Sequence, residues 1–400
     1  MKKRLLLLCC LSAVSLARAE DPTAPSTPNQ DDPNKGRFTF SGYIDSYYLG
    51  NLNRPKSRSN LGNAGNARAF DQRAGQFSIG LIQTKVGYST AKSDVVVDLA
   101  FGPNADLGNY GNVIGPLGEG RASSSLAIKQ AYFNWKATDR LTLTAGQFGT
   151  HIGYEVIDAP VNYNYSLSNL FNNGPFYHIG AKATYAFSDR ASLMLGLVNN
   201  VDNLNDNNRS KGLIGQLFVS PASGWNVYLN GIVSNEANPD SLGNKVKGSY
   251  ALLDLTTTYQ LTEKFFLGLN AAVGSQKADI QGFAPLKDGK SGWGGVALYT
   301  NYTLTGNFGI GARYEYFDNT SGVRALRNTL TGTGTSVNSI TLTGNITAAD
   351  GHLLLKPEFR LDSYAKPAGA TEQTLQFEDS EGNFSKSAQA TLGLAAIYKF

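Results

Sequence analysis

"FGIGARYEY" occupies residues 308–316, and its alternation decides how the chain folds. Phe308, Ile310, Ala312, Tyr314 and Tyr316 fall on one parity, whereas Gly309, Gly311, Arg313 and Glu315 fall on the other. A period of two puts each set on its own face of an extended strand, so bulky apolar groups back onto a pair of opposite charges. The same reading applies elsewhere. Phe38, Phe40 and Ile44 oppose Tyr43 and Asp45; Val95, Val97 and Leu99 oppose Asp98; Ile179, Ala181, Ala183, Tyr185 and Phe187 oppose His178 and Lys182. Trp225, Val227, Leu229 and Val233 oppose Asn226 and Asn230, and Phe265, Leu267, Leu269 and Val273 oppose Asn270.

The connections alternate too. Short ones, such as "TD" (138–139), "SD" (188–189), "TE" (262–263) and "TG" (305–306), separate long polar ones at 50–75, 103–124, 147–175, 199–211, 235–247, 275–291, 318–336 and 363–386. Seven short turns and eight long loops divide sixteen strands; blurred parity near 76–88, 125–137, 211–219 and 337–347 leaves fourteen or eighteen open. Trp135, Phe187, Trp225, Tyr259, Phe265, Phe308 and Tyr398 all lie near short turns or the last residues. That places a ring of aromatics at one membrane interface. Pro357 sits inside the strand 353–362, where it cannot donate to a ladder, and a bulge is expected there.

Composition agrees with strands rather than amphipathic helices: 44 Gly, 20 Tyr and 20 Phe accompany only 16% charged residues. Residues 1–19 read as a secretory signal peptide, with Lys2, Lys3 and Arg4 before an apolar run and "ARA" (17–19) as the cleavage site. An uncleaved anchor fits less well, because the run is short for a bilayer span. Residues 20–36 read as a disordered Pro/Asn/Asp linker, and 37–400 as the folded unit. Cleavage would remove both cysteines, and with Lys2, Lys3, Arg4 and Arg18 gone the formal charge falls from +4 to zero. Basicity therefore gives no support to nucleic-acid binding.

A secreted β-sandwich would show the same alternation strand by strand. Apolar segments of about 9–13 residues, however, suit tilted membrane-spanning strands better than sandwich strands. In lipid every backbone N–H and C=O needs a partner, so the sheet must close on itself. The expected fold class is thus all-β, a transmembrane antiparallel β-barrel of about sixteen strands. "LGLAAIYKF" (392–400) is expected to pair with the first strand, with Tyr398 and Phe400 as a signal for the outer-membrane assembly machinery.

Two stretches, "FTFSGYIDSYYLGNLNRP" (38–55) and the segment 129–200 with "GQF", "IGYE", "NYNYS" and "GPFYHIG", resemble the OmpL-like family of outer-membrane β-barrel porins. The resemblance implies a Gram-negative outer-membrane location and carries no catalytic residues to transfer.

A sixteen-stranded barrel leaves an aqueous channel. The side chains expected to line it are Asp45, Asp98, Lys182, Asp254, Arg313, Glu315, Lys356, Glu358, Arg360 and Asp362. Their mixed signs predict weak ion selectivity, or ion pairs between neighbouring strands. The long segment 147–175 carries Ile152, Val156, Ile157, Leu167, Leu170 and Phe171, unusual for a solvated loop. It is expected either to fold into the barrel and narrow it through His151, Tyr154, Glu155, Asp158, Tyr163 and Tyr165, or to form an outer cap.

A serine nucleophile would normally need a histidine, and the three present, His151, His178 and His352, stand in no nucleophile motif. No enzyme activity, cofactor or metal is expected. Passive diffusion of small hydrophilic solutes is the expected function, with lipid and solute as partners and a homo-oligomer left open. An occluded adhesion or ligand-binding barrel is the alternative.

Overall fold

A computed structural model describes residues 36–63, 67–68, 70–108, 127–199, 201–202, 206, 208–237, 242, 246–277, 292–324, 327–328 and 333–400. The expected signal peptide, and the linker up to residue 35, lie outside the described residues.

Sixteen antiparallel strands close a barrel. In chain order they are β1 (Arg37–Asn51), β2 (Gln76–Ser89), β3 (Ser93–Phe101), β4 (Ala127–Lys136), β5 (Leu141–Gly149), β6 (Tyr177–Ser188), β7 (Ala191–Val198) and β8 (Gly212–Ala222). They continue with β9 (Trp225–Asn235), β10 (Ser249–Gln260), β11 (Phe265–Gln276), β12 (Gly292–Thr305) and β13 (Phe308–Asp318). A two-residue ladder, β14 (Arg327–Asn328) with β15 (Thr333–Gly334), stands outside the barrel. The last three staves are β16 (Ser336–Ala348), β17 (Leu353–Tyr364) and β18 (Ala388–Lys399). Two short helices, α1 (Pro103–Leu107) and α2 (Asn169–Asn173), lie in long loops.

Closure runs through β1 and β18, with Ile44 opposite Tyr398 and Asp45 opposite Ile397. Gly42 and Phe400 exchange both backbone hydrogen bonds at 3.0 Å, which carries the pairing to the last residue. No edge is left, as a lipid environment demands.

Parity separates two solvents. On β13 Phe308, Ile310, Tyr314 and Tyr316 are exposed on the outside, while Arg313 and Glu315 are sealed inside. Trp135, Phe187, Trp225, Phe308 and Tyr398 stand exposed on the outer surface near the short turns. Trp225 packs on Tyr259 at 5.9 Å between ring centres.

The blurred parity near 125–137 has a local cause: the β3–β4 register shifts between Asp98 and Leu99. The bulge expected at Pro357 is absent. Glu358 pairs with Thr343 and Leu355 with Ile346, so the β16–β17 register is unchanged on both sides of a short gap in the ladder. Gly344 makes this possible, because a Cβ there would lie 3.1 Å from Pro357 Cγ. The ring occupies the space of a missing side chain, and the strand has no need to bulge.

Candidate functional site

Residues 150–176, between β5 and β6, turn inward and lie across the lumen. Their apolar side chains explain why: Ile152, Ile157, Leu167 and Leu170 are buried inside the barrel, which a solvated cap could not achieve. Helix α2 gives the segment one rigid turn, with Ser168 Oγ accepting from the Phe171 N–H at 3.0 Å.

The wall grips this loop from many sides. Its first arm runs past β9 and β10, where His151 Nε2 donates to the Gly231 carbonyl at 3.0 Å and the Gly153 N–H reaches Asp254 at 3.1 Å. Because a carbonyl only accepts, His151 is the Nε2–H tautomer. Tyr154 stacks on Tyr299 of β12 with ring centres 3.9 Å apart, and Glu155 meets Arg313 of β13 at 2.5 Å. The middle of the loop crosses to the opposite wall. Asp158 takes both of its short contacts from Lys129 of β4, at 2.5 and 2.6 Å, and further bonds from Tyr43 of β1 and Gln83 of β2.

The second arm follows β16 and β17. Lys356 donates to the carbonyls of Ala159 and Asn162, and Asn345 Nδ2 to the carbonyl of Tyr163 at 3.1 Å. Glu358 accepts the backbone N–H groups of Tyr165 and Ser166, at 2.6 and 3.0 Å. Tyr165 also donates its hydroxyl to Asp45 at 2.8 Å. Arg313 and Arg360 each hold a loop carbonyl, of Ser166 and Leu167, at 2.7 Å. Glu315 caps the first turn of α2 through the N–H groups of Asn169 and Leu170, where a negative charge suits the helix dipole.

All six residues singled out in this loop therefore lie inside the barrel. The ten wall residues point inward as well, but they do not border a wide channel. Nine of them (Asp45, Asp98, Asp254, Arg313, Glu315, Lys356, Glu358, Arg360 and Asp362) are at most 8% exposed, and Lys182, half-buried, lies over the Phe148 ring at 4.4 Å. Pairing between neighbouring wall charges is the minor theme: Arg360 meets Asp362 at 2.8 Å, while Arg313 turns to the loop. Charges buried at this depth need partners, and the loop supplies most of them.

Several participants escaped the sequence. Arg68, within the loop 52–75, lies buried against Asp362 at 3.0 Å and Asp71 at 2.6 Å. Its Asn- and Gly-rich surroundings read as solvated, so only the structure reveals it. Lys129 was hidden by the register shift, which breaks the alternation that would have placed it inside. Space remains on both flanks of the loop. A narrow cleft, with room for little more than a water molecule, opens toward β1 between Asp45, Phe70, Asn104 and Leu167; another opens toward β10–β12 between Gly153, Asp254 and Trp293.

The family model described as "Putative beta-barrel porin-2, OmpL-like" matches residues 37–400, the whole of the barrel. The chain belongs to this family. Among solved structures, this OmpL-like porin resembles the outer membrane channel DcaP of Acinetobacter baumannii, at 12% identity and a TM-score of 0.59 over 93% of this chain and 99% of that one. It also resembles an anion-selective porin from Comamonas acidovorans, at 10% and 0.57 over 92% and 100%, and OprB of Pseudomonas putida, at 13% and 0.53 over 91% and 94%. At these identities the likeness is one of fold. No curated protein sequence matches the chain. Family and fold together place the porin in the bacterial outer membrane.

Proposed function

We propose that this porin is a size-restricting diffusion pore for small hydrophilic solutes and ions, with the 150–176 loop as its constriction. The observation that carries the reading is the loop held across the lumen by β1, β2, β4, β9, β10, β12, β13, β16 and β17, with a cleft on either flank. The solute gradient drives passage, and the protein contributes a polar path through an apolar layer. We read the chain as non-enzymatic, and Tyr398 and Phe400 as the part met by the assembly machinery.

Planar-bilayer conductance of the refolded protein tests this. Small discrete steps are expected, growing severalfold when residues 155–172 are deleted. A folded barrel that is silent in both forms would overturn the pore. The burial of nine wall charges favours one alternative, a barrel that binds ligand through its outer loops behind a closed lumen.

A further inference from the structure

We infer that the vestibule between the inner loop and the short turns is an anion-collecting surface, and that the solutes it favours are small anions. The solute class rests on the diffusion-pore reading; the surface itself does not.

On the short-turn side, the periplasmic one in an outer-membrane barrel, the lumen is open to water. Thr39 and Ser41, on the inward parity of Tyr43, are exposed, and Tyr132, Thr142, Thr184 and Tyr228 are half-buried. Four cations face this space: Arg37 of β1, Lys85 of β2, Lys136 of β4 and Lys182 of β6. Lys85 stands opposite Asp98 and Lys182 opposite Thr144, both of them buried inside. Lys136 stands opposite Thr142, which shares the face of Thr144, and Arg37 shares the face of Tyr43. Arg37 and Lys85 are exposed, while Lys136 and Lys182 are half-buried. Among the described residues none of the four has a carboxylate within 4 Å. Lys399 also turns inward, opposite Tyr43, but has the terminal carboxylate of Phe400 beside it.

Little opposes this charge. Asp94 of β3 is half-buried and accepts from Asn134 at 2.7 Å. Asp158, the half-buried acid of the loop, is taken up by Lys129. Short turns pair opposite signs in sequence, as in Asp139 with Arg140, Asp189 with Arg190 and Glu263 with Lys264. Across the vestibule the described side chains below the loop are uncharged, Phe218, Tyr228 and Asn345 among them. Deeper carboxylates are answered in place. Asp98, Glu155 and Asp362 face an arginine or lysine, Glu315, Glu358 and Asp254 accept backbone N–H groups, and the Lys356 charge acts on Asp45. The wall charges of mixed sign are therefore the ones shut away from water. Those left in contact with it are mainly positive and lie along one side, over the contiguous run β1–β6. They stand on different strands, so they act as a field rather than as a chelating pocket, and low-dielectric walls focus that field.

Reversal potentials of the refolded full chain in a KCl gradient test the inference. Chloride is expected to permeate about threefold or more better than potassium. The ratio should fall toward one in the double variant Lys85→Gln/Lys136→Gln. In the wild type it should shrink at 1 M salt, where the screening length is about 3 Å. A wild-type ratio of one or below, or the same ratio in both proteins, would overturn the inference. Binding of pyrenetetrasulfonate to the detergent-folded proteins at low salt, read by its fluorescence anisotropy, separates surface from pore. A silent barrel that binds the dye, and binds it severalfold more weakly in the double variant, upholds the surface and sinks the pore. A conducting barrel without anion preference sinks the inference alone, and a silent barrel that ignores the dye sinks both.

Discussion

The carboxylate of Glu155 lies 2.5 Å from the guanidinium of Arg313, although 158 residues separate them along the chain. Both side chains are shut off from water, so neither charge can be left alone without a large penalty. Arg313→Met should therefore loosen the loop by about 3–5 kcal/mol, and Glu155→Gln should act in the same direction. The double variant is expected to recover much of the loss, because no uncompensated charge then remains. Protease cleavage within 150–176 measures each step, and additive single effects would sever the connection between pair and loop.

Gly311 faces the loop from β13. A Cβ at that position would come 3.0 Å from the Tyr163 carbonyl and 3.1 Å from Tyr163 Cβ. Gly311→Val is expected to push this arm off the wall at about 1–3 kcal/mol while leaving the barrel closed. Larger conductance steps from a protein that still migrates as a folded barrel would be the signature. Unchanged steps would mean that Tyr163 does not bear on the passage.

Acid acts on the first arm. Burial lowers the pKa of His151 to about 4 from its usual 6.5, and the nearby Lys182 charge adds to this. The unfolded arm thus binds a proton that the seated arm refuses. The stability from neutral His151 is complete above about pH 6.5 and is lost as pH falls toward 4. Asp202, pushed up to about 7 by burial, shifts in the opposite sense: its contribution is complete below the ordinary carboxylate range and lost as pH rises through 7. Comparison of wild type with His151→Gln isolates the histidine. Loop cleavage should rise on acidification more in the wild type, and equal pH profiles would remove His151 from this role.

The outer face gives a control of a different kind. Leu298, midway along β12, is exposed on the outside, while its neighbour Tyr299 is buried within. Leu298→Arg should destabilise the barrel by about 2–4 kcal/mol in lipid, as charges at the bilayer midplane do. Denaturant titration in vesicles measures it, and a neutral result would reverse the assignment of faces.

Alternation made the barrel legible because a strand's two faces meet two solvents, and each residue reports its own side. Phe308 to Tyr316 needed no distant information. The loop was legible only in part: Ile152, Ile157 and Leu170 announce burial, but not what they are buried against. Glu155 finds Arg313, and Lys356 finds the Ala159 carbonyl, across separations no local pattern encodes. Arg68 was out of reach for the same reason. The accommodation of Pro357 is equally non-local, because it depends on Gly344, a residue of the adjoining strand.

Tyr165 offers its hydroxyl to β1, through Asp45, and its backbone N–H to β17, through Glu358. Those two strands flank β18, and they come from opposite ends of the chain. They come to either side of one stave only when β18 is in place. The seam and the seat of the loop are therefore completed together. A chain halted one strand short would leave β1 and β17 unjoined and Tyr165 with no fixed pair of partners, so the loop's docking can serve as a clock for closure.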